Sequence, residues 1–318
     1  MLDFSFSLSS SVDSSQLFDL IIIGGGPAGL TAGLYAARYK LNTLMIEKAP
    51  LSGGQLTATE WVENYPGFPK PVLGKQLAKD MEEQARFFGL EIIHEDVTAV
   101  NLKTQIREVI TPFHTWKARA VLIATGSSPK TLNIPGEAEF AGRGVSYCAT
   151  CDGPFYPDKT VAVVGGGNSA FEESLFLAKY AARIHIIHRR DSFRADPLLI
   201  DRVRQEPKIE LITDSVVEAI DFGSAERKLR VANLKSGEHN DLKVDGIFVF
   251  IGANPNTALF QEQLELEDGY IVTDREHQTS VPGVWAAGDV QAKSLRQVAT
   301  AVGDGALAAY KIHKYLDR

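Results

Sequence analysis

Three stretches of the chain share one pattern, in which an uninterrupted apolar run ends in glycines and continues into small residues. They are "FDLIIIGGGPAGLTAGLYAARYK" from Phe18, "KTVAVVGGGNSAFEESLFLAKY" from Lys159, and "GVWAAGDV" from Gly283, which precedes "RQVATAVGDGALAAYKIHKYL". Continuous apolar runs are typical of strands that are buried on both faces of a parallel sheet. Each stretch therefore predicts a strand, a glycine turn and a helix, the repeating unit of α/β proteins.

The first glycine turn has the spacing G-x-G-x-x-G at Gly24, Gly26 and Gly29. The first glycine permits a tight turn, the second lets the backbone approach a pyrophosphate, and the third lets helix and strand pack closely. Glu47 ends the next apolar run, 23 residues after Gly24, where a carboxylate can accept hydrogen bonds from both ribose hydroxyls. The pattern favours a dinucleotide without a 2′-phosphate over an incidental glycine turn beside a solvated glutamate.

The second turn has Gly165, Gly167 and Ala170 at the same three positions, and 23 residues after Gly165 the chain has His188 instead of an acid. Arg189, Arg190 and Arg194 follow it. Guanidinium groups can bind a ribose 2′-phosphate with paired, charge-assisted hydrogen bonds, whereas a carboxylate would repel it. This turn therefore predicts NADPH in preference to NADH. The alternative is a basic surface turn that pairs with its own neighbours, such as Asp191 and Asp196.

A flavin dinucleotide suits the first turn, because a flavin can relay electrons from NADPH to a disulfide and a second nicotinamide gives no useful chemistry. The Gly288–Asp289 turn adds an acid that can bind the ribityl or pyrophosphate region. The predicted fold class is α/β, with two Rossmann-like FAD/NAD(P)-binding domains, the NADPH domain inserted into the FAD domain. We predict an N-terminal extension at 1–17, an FAD domain at 18–126 and 253–318, and an NADPH domain at 127–252. Linkers rich in Gly, Ser, Pro and Asn, of a hinge-capable type, occur at 123–130 and 251–256.

The composition argues against a nucleic-acid-binding, membrane-spanning or exported protein. The chain has 318 residues, 44% of them hydrophobic and 23% charged, and a net charge of −7, so binding to nucleic acid is not expected. No apolar run reaches the roughly 18 residues of a transmembrane helix. The first fifteen residues have seven serines but no Lys or Arg, a poor match to a signal or transit peptide. With only two cysteines, a cytoplasmic location is expected.

Those two cysteines, Cys148 and Cys151, form a C-x-x-C pair in "SYCATCDG". A structural zinc site needs four ligands, and the seven histidines show no H-x₃₋₅-H spacing after the pair, so no metal is predicted. A structural crosslink is the second alternative, but so short a loop restrains little unfolded-state entropy. Thiols in this motif can have pKa values of about 7 or below. The residues thus favour a redox-active dithiol.

With these pieces in place, the chain resembles the NADPH-dependent thioredoxin reductases of the small, low-molecular-weight flavoprotein type. The resemblance runs from about Phe18 to Leu316 and rests on motifs in the family's order: "GGGPAG", "GGQL", "ENYPGF", "CATCDG", "GGGNSA", "HRRDSFRA", "AAGDV" and "RQVATA". The N-terminal extension has no counterpart in the family pattern. No second dithiol follows near the C-terminus, so the larger reductase type does not apply.

The resemblance implies FAD and NADPH as cofactors and a homodimer. It assigns FAD to Gly24, Gly26, Gly29, Glu47, Gln55, Asn64, Asp289 and Gln297, and NADPH to Gly165, Gly167, Asn168, Ser169, Ala170, His188, Arg189, Arg190 and Arg194. Further cofactor-binding residues are expected at Pro27, Ala28, Gly54, Leu56, Val97, Ala124, Thr125, Gly126, Gly288, Arg296 and Val298. Taken without the resemblance, Gln55 and Asn64 are ordinary polar loop residues.

The resemblance also implies the roles at the dithiol. Cys151 faces the flavin and accepts the electron pair, Cys148 attacks the disulfide of thioredoxin, and Asp152 is the acid–base group. A solvated turn aspartate is the alternative for Asp152. Arg143, Phe155 and Tyr156 are candidate contacts for thioredoxin, although core packing is a close alternative for the two aromatic residues.

Two other functions are considered. A reductase for another thiol acceptor, such as a peroxiredoxin system, usually has an attached thioredoxin-like domain, for which this chain has no room. A flavin-binding redox sensor would use the state of Cys148 and Cys151 to alter the binding of a partner. Slow turnover with NADPH and a disulfide acceptor would favour the sensor, and rapid turnover would exclude it.

Overall fold

The computed structural model describes residues 12–59, 61–62, 64–223 and 226–317, and these divide into two compact units. Unit 1 contains the described residues up to Thr57, Leu77–Gly126 and those from Pro255 onward. Unit 2 contains those of Ala58–Gln76 and Ser127–Asn254. The predicted fold class, with one α/β fold inserted into another, is confirmed. The segment 58–76 groups with unit 2 although we predicted it in the FAD domain, so the exact domain boundaries stay a prediction. Residues 1–11 of the predicted extension lie outside the described residues.

Unit 1 is built on one mixed sheet. Its strands, in spatial order, are Glu91–His94, Thr43–Glu47, Leu17–Ile23, Thr115–Ile123, Arg107–Ile110 and Ala99–Asn101, with Val284–Ala286 also paired to Thr115–Ile123. Strand Arg107–Ile110 pairs antiparallel with both of its neighbours, Thr115–Ile123 and Ala99–Asn101, and the other pairs are parallel. The α-helices are Pro27–Arg38, Gly74–Phe87 and Val298–Leu316, with single 3₁₀ turns at Gly54–Ala58, Ala258–Phe260 and Gly288–Val290. Two short strands, Leu266–Glu267 and Tyr270–Ile271, form a hairpin.

The strand Leu17–Ile23 is buried on both faces, which explains its unbroken apolar run. Leu20 and Ile22 pack in a cluster with alanines of helices Pro27–Arg38 and Val298–Leu316. Ile21 and Ile23 pack in a separate cluster that includes Trp116 and Phe260. Full burial of one such aliphatic side chain stabilises a fold by about 1.5–3 kcal/mol, so this strand contributes to both halves of the core.

Unit 2 repeats the parallel arrangement around the second glycine turn. Its sheet has the order Val145–Ser146, Gly246–Val249, Thr160–Val164, Arg183–Ile187 and Ile209–Ile212, all parallel. An antiparallel sheet follows with strands Ser215–Asp221, Lys228–Asn233 and His239–Lys243. The α-helices are Ala149–Asp152, Asn168–Leu177 and Pro197–Gln205, and a 3₁₀ turn spans Gly153–Phe155. Strands Trp61–Val62 and Val72–Leu73 form a hairpin.

The two linkers run side by side. Strands Ser127–Pro129 and Ala253–Pro255 form a two-stranded ribbon. The amide of Lys130 donates to the Gly252 carbonyl at 2.9 Å. The predicted Gly/Ser/Pro/Asn-rich segments are therefore paired with each other.

Across the described ranges, no helix combines the length and apolar character needed to cross a bilayer. The same residues contain no group of three or more His, Cys, Asp or Glu side chains arranged to hold a metal ion.

Helix Val298–Leu316 packs so closely against helix Pro27–Arg38 that the two backbones meet without a side chain between them. A Cβ atom added at Gly305 would overlap the carbonyl group of Ala28, whereas one added at Gly303, on the same helix, would meet no atom within 4 Å. Gly305 is buried and Gly303 is exposed. The close approach of the two helices therefore requires glycine at position 305 only.

This pair of glycines yields a stability prediction with an internal control. Gly305→Ala should lower the free energy of unfolding by about 1–3 kcal/mol, because the added methyl group overpacks the helix contact. Gly303→Ala should raise it by up to about 1 kcal/mol, because alanine loses less backbone entropy in a helix. Urea denaturation of the purified protein measures both values. A Gly305→Ala protein as stable as the Gly303→Ala protein would contradict the packing described.

Candidate functional site

At two positions of the first glycine turn, Gly24 and Gly29, the backbone passes too close to neighbouring backbone atoms for a side chain. Gly24 has φ +105°, and a Cβ there would overlap the Ala124 carbonyl. A Cβ at Gly29 would overlap the carbonyl of Gly24. Gly26 caps the helix that begins at Pro27, and a Cβ there would meet no atom within 4 Å. The backbone at Gly26 is thus open to a ligand at the positive end of a helix, as a pyrophosphate requires.

Glu47 stands beside this turn at the end of its strand. Its Oε2 accepts a hydrogen bond from the Gly25 amide at 2.5 Å, and its Oε1 accepts one from the Ala49 amide at 2.7 Å. These bonds orient the carboxylate and leave it further lone pairs. Ribose hydroxyls can donate to those lone pairs, so the geometry fits a nucleotide whose 2′-hydroxyl is free.

The Gly288–Asp289 turn presents a buried carboxylate oxygen that has no hydrogen-bond partner within the described residues. This oxygen is Oδ1 of Asp289. The Lys293 ammonium lies 3.8 Å away. Burial raises the pKa of Asp289, although the charges of Lys293 and Arg296 oppose that shift. A buried acceptor without a donor is costly, so a ligand hydroxyl group at this position would stabilise the turn.

Asp304 holds this turn in place and was not predicted from the sequence. Its Oδ2 accepts hydrogen bonds from the Gly288 amide at 3.1 Å, the Gln291 side chain at 3.1 Å and the Lys293 ammonium at 2.6 Å. The one signal in the sequence is an acid within the otherwise small-residue stretch "TAVGDGALAA". Arg296, by contrast, lies over the ring of Tyr270 at 4.0 Å.

The remaining predicted residues of the FAD region are distributed over several elements. Gln297 caps the helix whose first residue is Val298, and Gly54, Gln55 and Leu56 lie in the 3₁₀ turn Gly54–Ala58. A Cβ at Gly54 would lie 3.3 Å from Gly26 Cα, which brings that turn to the open glycine. Ala124, Thr125 and Gly126 follow strand Thr115–Ile123, Val97 is buried in the core, and Ala28 is buried in the helix contact. Asn64 belongs to segment 58–76 of unit 2.

The second glycine turn repeats the geometry of the first. Gly165 has φ +155°, and a Cβ there would come within 2.7 Å of Ala170 Cβ. Gly167 caps the helix that begins with Asn168 and Ser169, and a Cβ at Gly167 would meet no atom within 4 Å. A second open helix N-terminus therefore faces solvent in unit 2.

The His188 ring packs against this turn, since a Cβ at Gly166 would overlap it. Burial, and then the neighbouring arginine charges, lower the pKa of His188. Arg189, Arg190 and Arg194 are exposed, and no ion pair of the described residues involves their guanidinium groups.

The two acids that could have neutralised these arginines have other partners. Asp191 binds the ammonium of Lys235 at 2.9 Å. Asp196 caps helix Pro197–Gln205 by accepting from the Leu198 amide at 2.8 Å. The alternative of a self-paired basic turn is therefore not supported, and the guanidinium groups are available to an anion.

Cys148 and Cys151 are joined as a disulfide, with Cα atoms 5.3 Å apart. Cys148 caps the short helix Ala149–Asp152, and its Sγ accepts a hydrogen bond from the Cys151 amide at 3.2 Å. The Thr150 hydroxyl lies 3.3 Å from the same sulfur. Ser146, which is buried, accepts from the Cys148 amide at 3.1 Å. The Cys151 amide and the Thr150 hydroxyl are thus two polar groups in contact with Cys148 Sγ.

Asp152 ends the short helix beside a cavity of about 440 Å³, which Arg143, Phe155 and Tyr156 also line. Phe155 is 41% exposed, so it is accessible to a partner. Tyr156 is partly buried and its ring lies 5.4 Å from that of Phe248, while it also lines the cavity, so its contact with thioredoxin stays a prediction.

Glu137 anchors the segment before the dithiol, and sequence reasoning missed it. Its carboxylate is 3% exposed and accepts from the amides of Leu132 at 2.8 Å and Asn133 at 2.7 Å. The hydroxyl of Tyr147, the residue before Cys148, donates to it at 2.9 Å. Burial and this carboxylate raise the pKa of Tyr147 well above its usual range, so the tyrosine keeps its proton and its hydrogen bond.

Comparisons with known proteins agree with this geometry. Residues 18–305 match the family model of the pyridine nucleotide-disulphide oxidoreductases. A thioredoxin reductase of Listeria innocua is 44% identical over 95% of this chain and 95% of its own length. A bifunctional thioredoxin reductase/thioredoxin of Mycobacterium leprae is 45% identical over 94% of this chain and 66% of its own length.

A solved structure shows the same fold. The thioredoxin reductase of Streptococcus pyogenes superposes with a TM-score of 0.90 at 40% identity, covering 95% of this chain and 98% of that one. The resemblance predicted from the motifs is confirmed. The chain belongs to the pyridine nucleotide-disulphide oxidoreductases and, within them, to the low-molecular-weight thioredoxin reductases.

Proposed function

We propose that this chain is an NADPH-dependent thioredoxin-disulfide reductase that uses FAD and the Cys148–Cys151 pair. The observation that carries the proposal is the position of the disulfide. It lies in unit 2, 14 residues before Gly165 and in the same compact unit as the exposed arginine turn. The redox-active sulfurs and the 2′-phosphate-reading site thus belong to one body.

FAD, when bound, relays the electron pair of NADPH to the disulfide. The orphaned Asp289 oxygen, the open backbone at Gly26 and the oriented Glu47 carboxylate are the features of unit 1 that would hold it. The open Gly167 backbone and the free arginines of unit 2 would hold NADPH.

The thiol chemistry needs two electrons and two protons to convert the enzyme disulfide into a dithiol. One thiolate then attacks the disulfide of thioredoxin, which gives a mixed disulfide and releases a thioredoxin thiolate. The second enzyme sulfur resolves the mixed disulfide, which restores the Cys148–Cys151 bond and leaves thioredoxin as a dithiol. The Cys151 amide and the Thr150 hydroxyl contact Cys148 Sγ, and Asp152 moves the protons.

Thioredoxin as the partner is supported by the family and by the bifunctional relative of M. leprae, whose name joins a thioredoxin reductase with a thioredoxin. Phe155 and Arg143, beside the cavity at Asp152, are proposed docking contacts. We also propose a homodimer, as the family implies, and a cytoplasmic location, because the catalytic pair works against a pool of reduced thiols.

Serine substitutions test the chemistry. Cys148→Ser and Cys151→Ser should each lower NADPH-driven reduction of thioredoxin by at least about 100-fold, because neither variant can cycle between dithiol and disulfide. NADPH should still bleach the flavin absorbance of both variants, which separates lost chemistry from lost folding. Rapid turnover in the parent protein excludes the sensor function. Turnover in either variant close to that of the parent would contradict the proposal.

The same variants identify the attacking sulfur. Incubation with a thioredoxin whose resolving cysteine is replaced by serine, and whose other cysteine carries thionitrobenzoate in a mixed disulfide, traps a stable enzyme–thioredoxin disulfide on the cysteine that attacks and releases thionitrobenzoate. The prediction that Cys148 attacks requires the adduct to form with Cys151→Ser. An adduct that forms only with Cys148→Ser would assign the attack to Cys151.

Arginine substitutions test the choice of nucleotide. Arg189→Ala with Arg190→Ala should raise the KM for NADPH about 10- to 100-fold, because the charge-assisted hydrogen bonds lost with the two exposed guanidinium groups cost about 1.5–3 kcal/mol in total. The KM for NADH should change little. Arg202→Ala with Arg204→Ala, on helix Pro197–Gln205, removes the same charge elsewhere and is the matched control. Equal effects on NADPH and NADH would contradict the assignment.

A further inference from the structure

The arginine turn contains an acid of its own that ought to interfere with phosphate binding. Asp191 follows Arg190 directly, and the whole stretch from Arg189 to Ser192 is exposed. A carboxylate so close in sequence can reach a guanidinium group, and the resulting pair would compete with a ligand phosphate for the same donors. Access of a phosphate to the arginines therefore depends on where the Asp191 carboxylate is held.

Lys235 holds it. The Lys235 ammonium lies 2.9 Å from Asp191 Oδ2 and 3.1 Å from Asp214 Oδ1, and so bridges two acids. Asp214 is largely buried, with a side chain 17% exposed, while the Lys235 side chain is 63% exposed. The hydrogen bond from Lys235, and then its charge, lower the pKa of Asp191. The acid of the arginine turn is thus occupied by a lysine from another part of the chain.

Hydrogen bonds to the backbone around Lys235 fix this residue beside Asp191. Lys235 lies in the turn between strands Lys228–Asn233 and His239–Lys243, where Asn233 Oδ1 accepts from the amides of Lys235 and Ser236, each at 2.9 Å. The Leu234 amide donates to the Asp214 carbonyl at 2.6 Å. The Asp214 amide in turn donates to the Arg190 carbonyl at 3.4 Å. Asp214 therefore connects the lysine turn to the arginine turn.

We infer that Lys235 is a positioning residue for nucleotide specificity, because it holds Asp191 away from Arg189, Arg190 and Arg194 and keeps their guanidinium groups available to a 2′-phosphate. The inference rests on the proposed use of NADPH. Lys235 acts through Asp191, and it also offsets the negative charge that Asp191 brings to the turn. Its loss should weaken binding of NADP⁺ and leave binding of NAD⁺ unchanged.

The size of the effect follows from the strength of exposed ion pairs. A released Asp191 would pair with one of the arginines, and NADP⁺ would have to break that pair. Pairs of this kind correspond to a change of up to about fivefold in an equilibrium constant. The Kd of NADP⁺ should therefore rise about three- to fivefold in Lys235→Met.

The experiment measures binding of NADP⁺ and NAD⁺ to the oxidised full-length holoprotein by calorimetry, so that no turnover is involved. Four proteins are compared with the parent: Lys235→Met, Asp191→Asn, the double variant, and Lys228→Met. Lys228 pairs with Asp241 at 2.8 Å on the same antiparallel sheet, so its variant has the same change of charge and side chain away from the arginine turn. Thermal unfolding of each variant monitors the fold.

The inference predicts weaker NADP⁺ binding in Lys235→Met only, and binding within about twofold of the parent in the double variant, which has lost the competing carboxylate. Asp191→Asn alone should bind NADP⁺ at least as tightly as the parent. An unchanged Kd in Lys235→Met, or a double variant as weak as Lys235→Met, overturns the role through Asp191. A parent protein without preference for NADP⁺ over NAD⁺ overturns the proposed use of NADPH, and this inference with it.

Discussion

Each unit depends on a glycine turn in which the backbone passes too close to a neighbouring segment for a side chain to fit. At Gly24 a Cβ atom would overlap the carbonyl that follows the neighbouring strand, and at Gly165 it would approach Ala170 and the Phe250 carbonyl. Because the strand can turn there, the next helix begins with its first amides exposed, at Gly26 and at Gly167. The proposed cofactor sites follow from this constraint, since an exposed helix N-terminus suits a pyrophosphate.

The two glycine turns differ in the charge of the side chains beside them. Glu47 is oriented by backbone amides next to the first turn, whereas the second turn has His188 at that position, with three exposed arginines after it. Under the proposed function, one geometry serves two nucleotides and electrostatics separates them, because a carboxylate would repel a 2′-phosphate that guanidinium groups can bind. The proposed flow of electrons toward Cys148 and Cys151 depends on this difference.

The strands, the glycine turns and the dithiol could be predicted from the sequence because their determinants are local. Gly24, Gly26 and Gly29 lie within six residues, and a buried strand shows its burial in its own composition. Asp304, Glu137 and Lys235 were missed because each acts on partners that only the fold brings near. Lys235, for example, is 44 residues from Asp191. The packing of Tyr156 against Phe248 is likewise a contact that only the fold reveals.

We propose that electrons from NADPH reach the Cys148–Cys151 disulfide through the bound flavin. Anaerobic titration of the holoprotein with NADPH, followed by alkylation and mass spectrometry of the two cysteines, measures this transfer. We expect uptake of about two equivalents of NADPH per chain, one for the flavin and one for the disulfide, with both cysteines alkylated. Uptake of about one equivalent, with the disulfide intact, would contradict it.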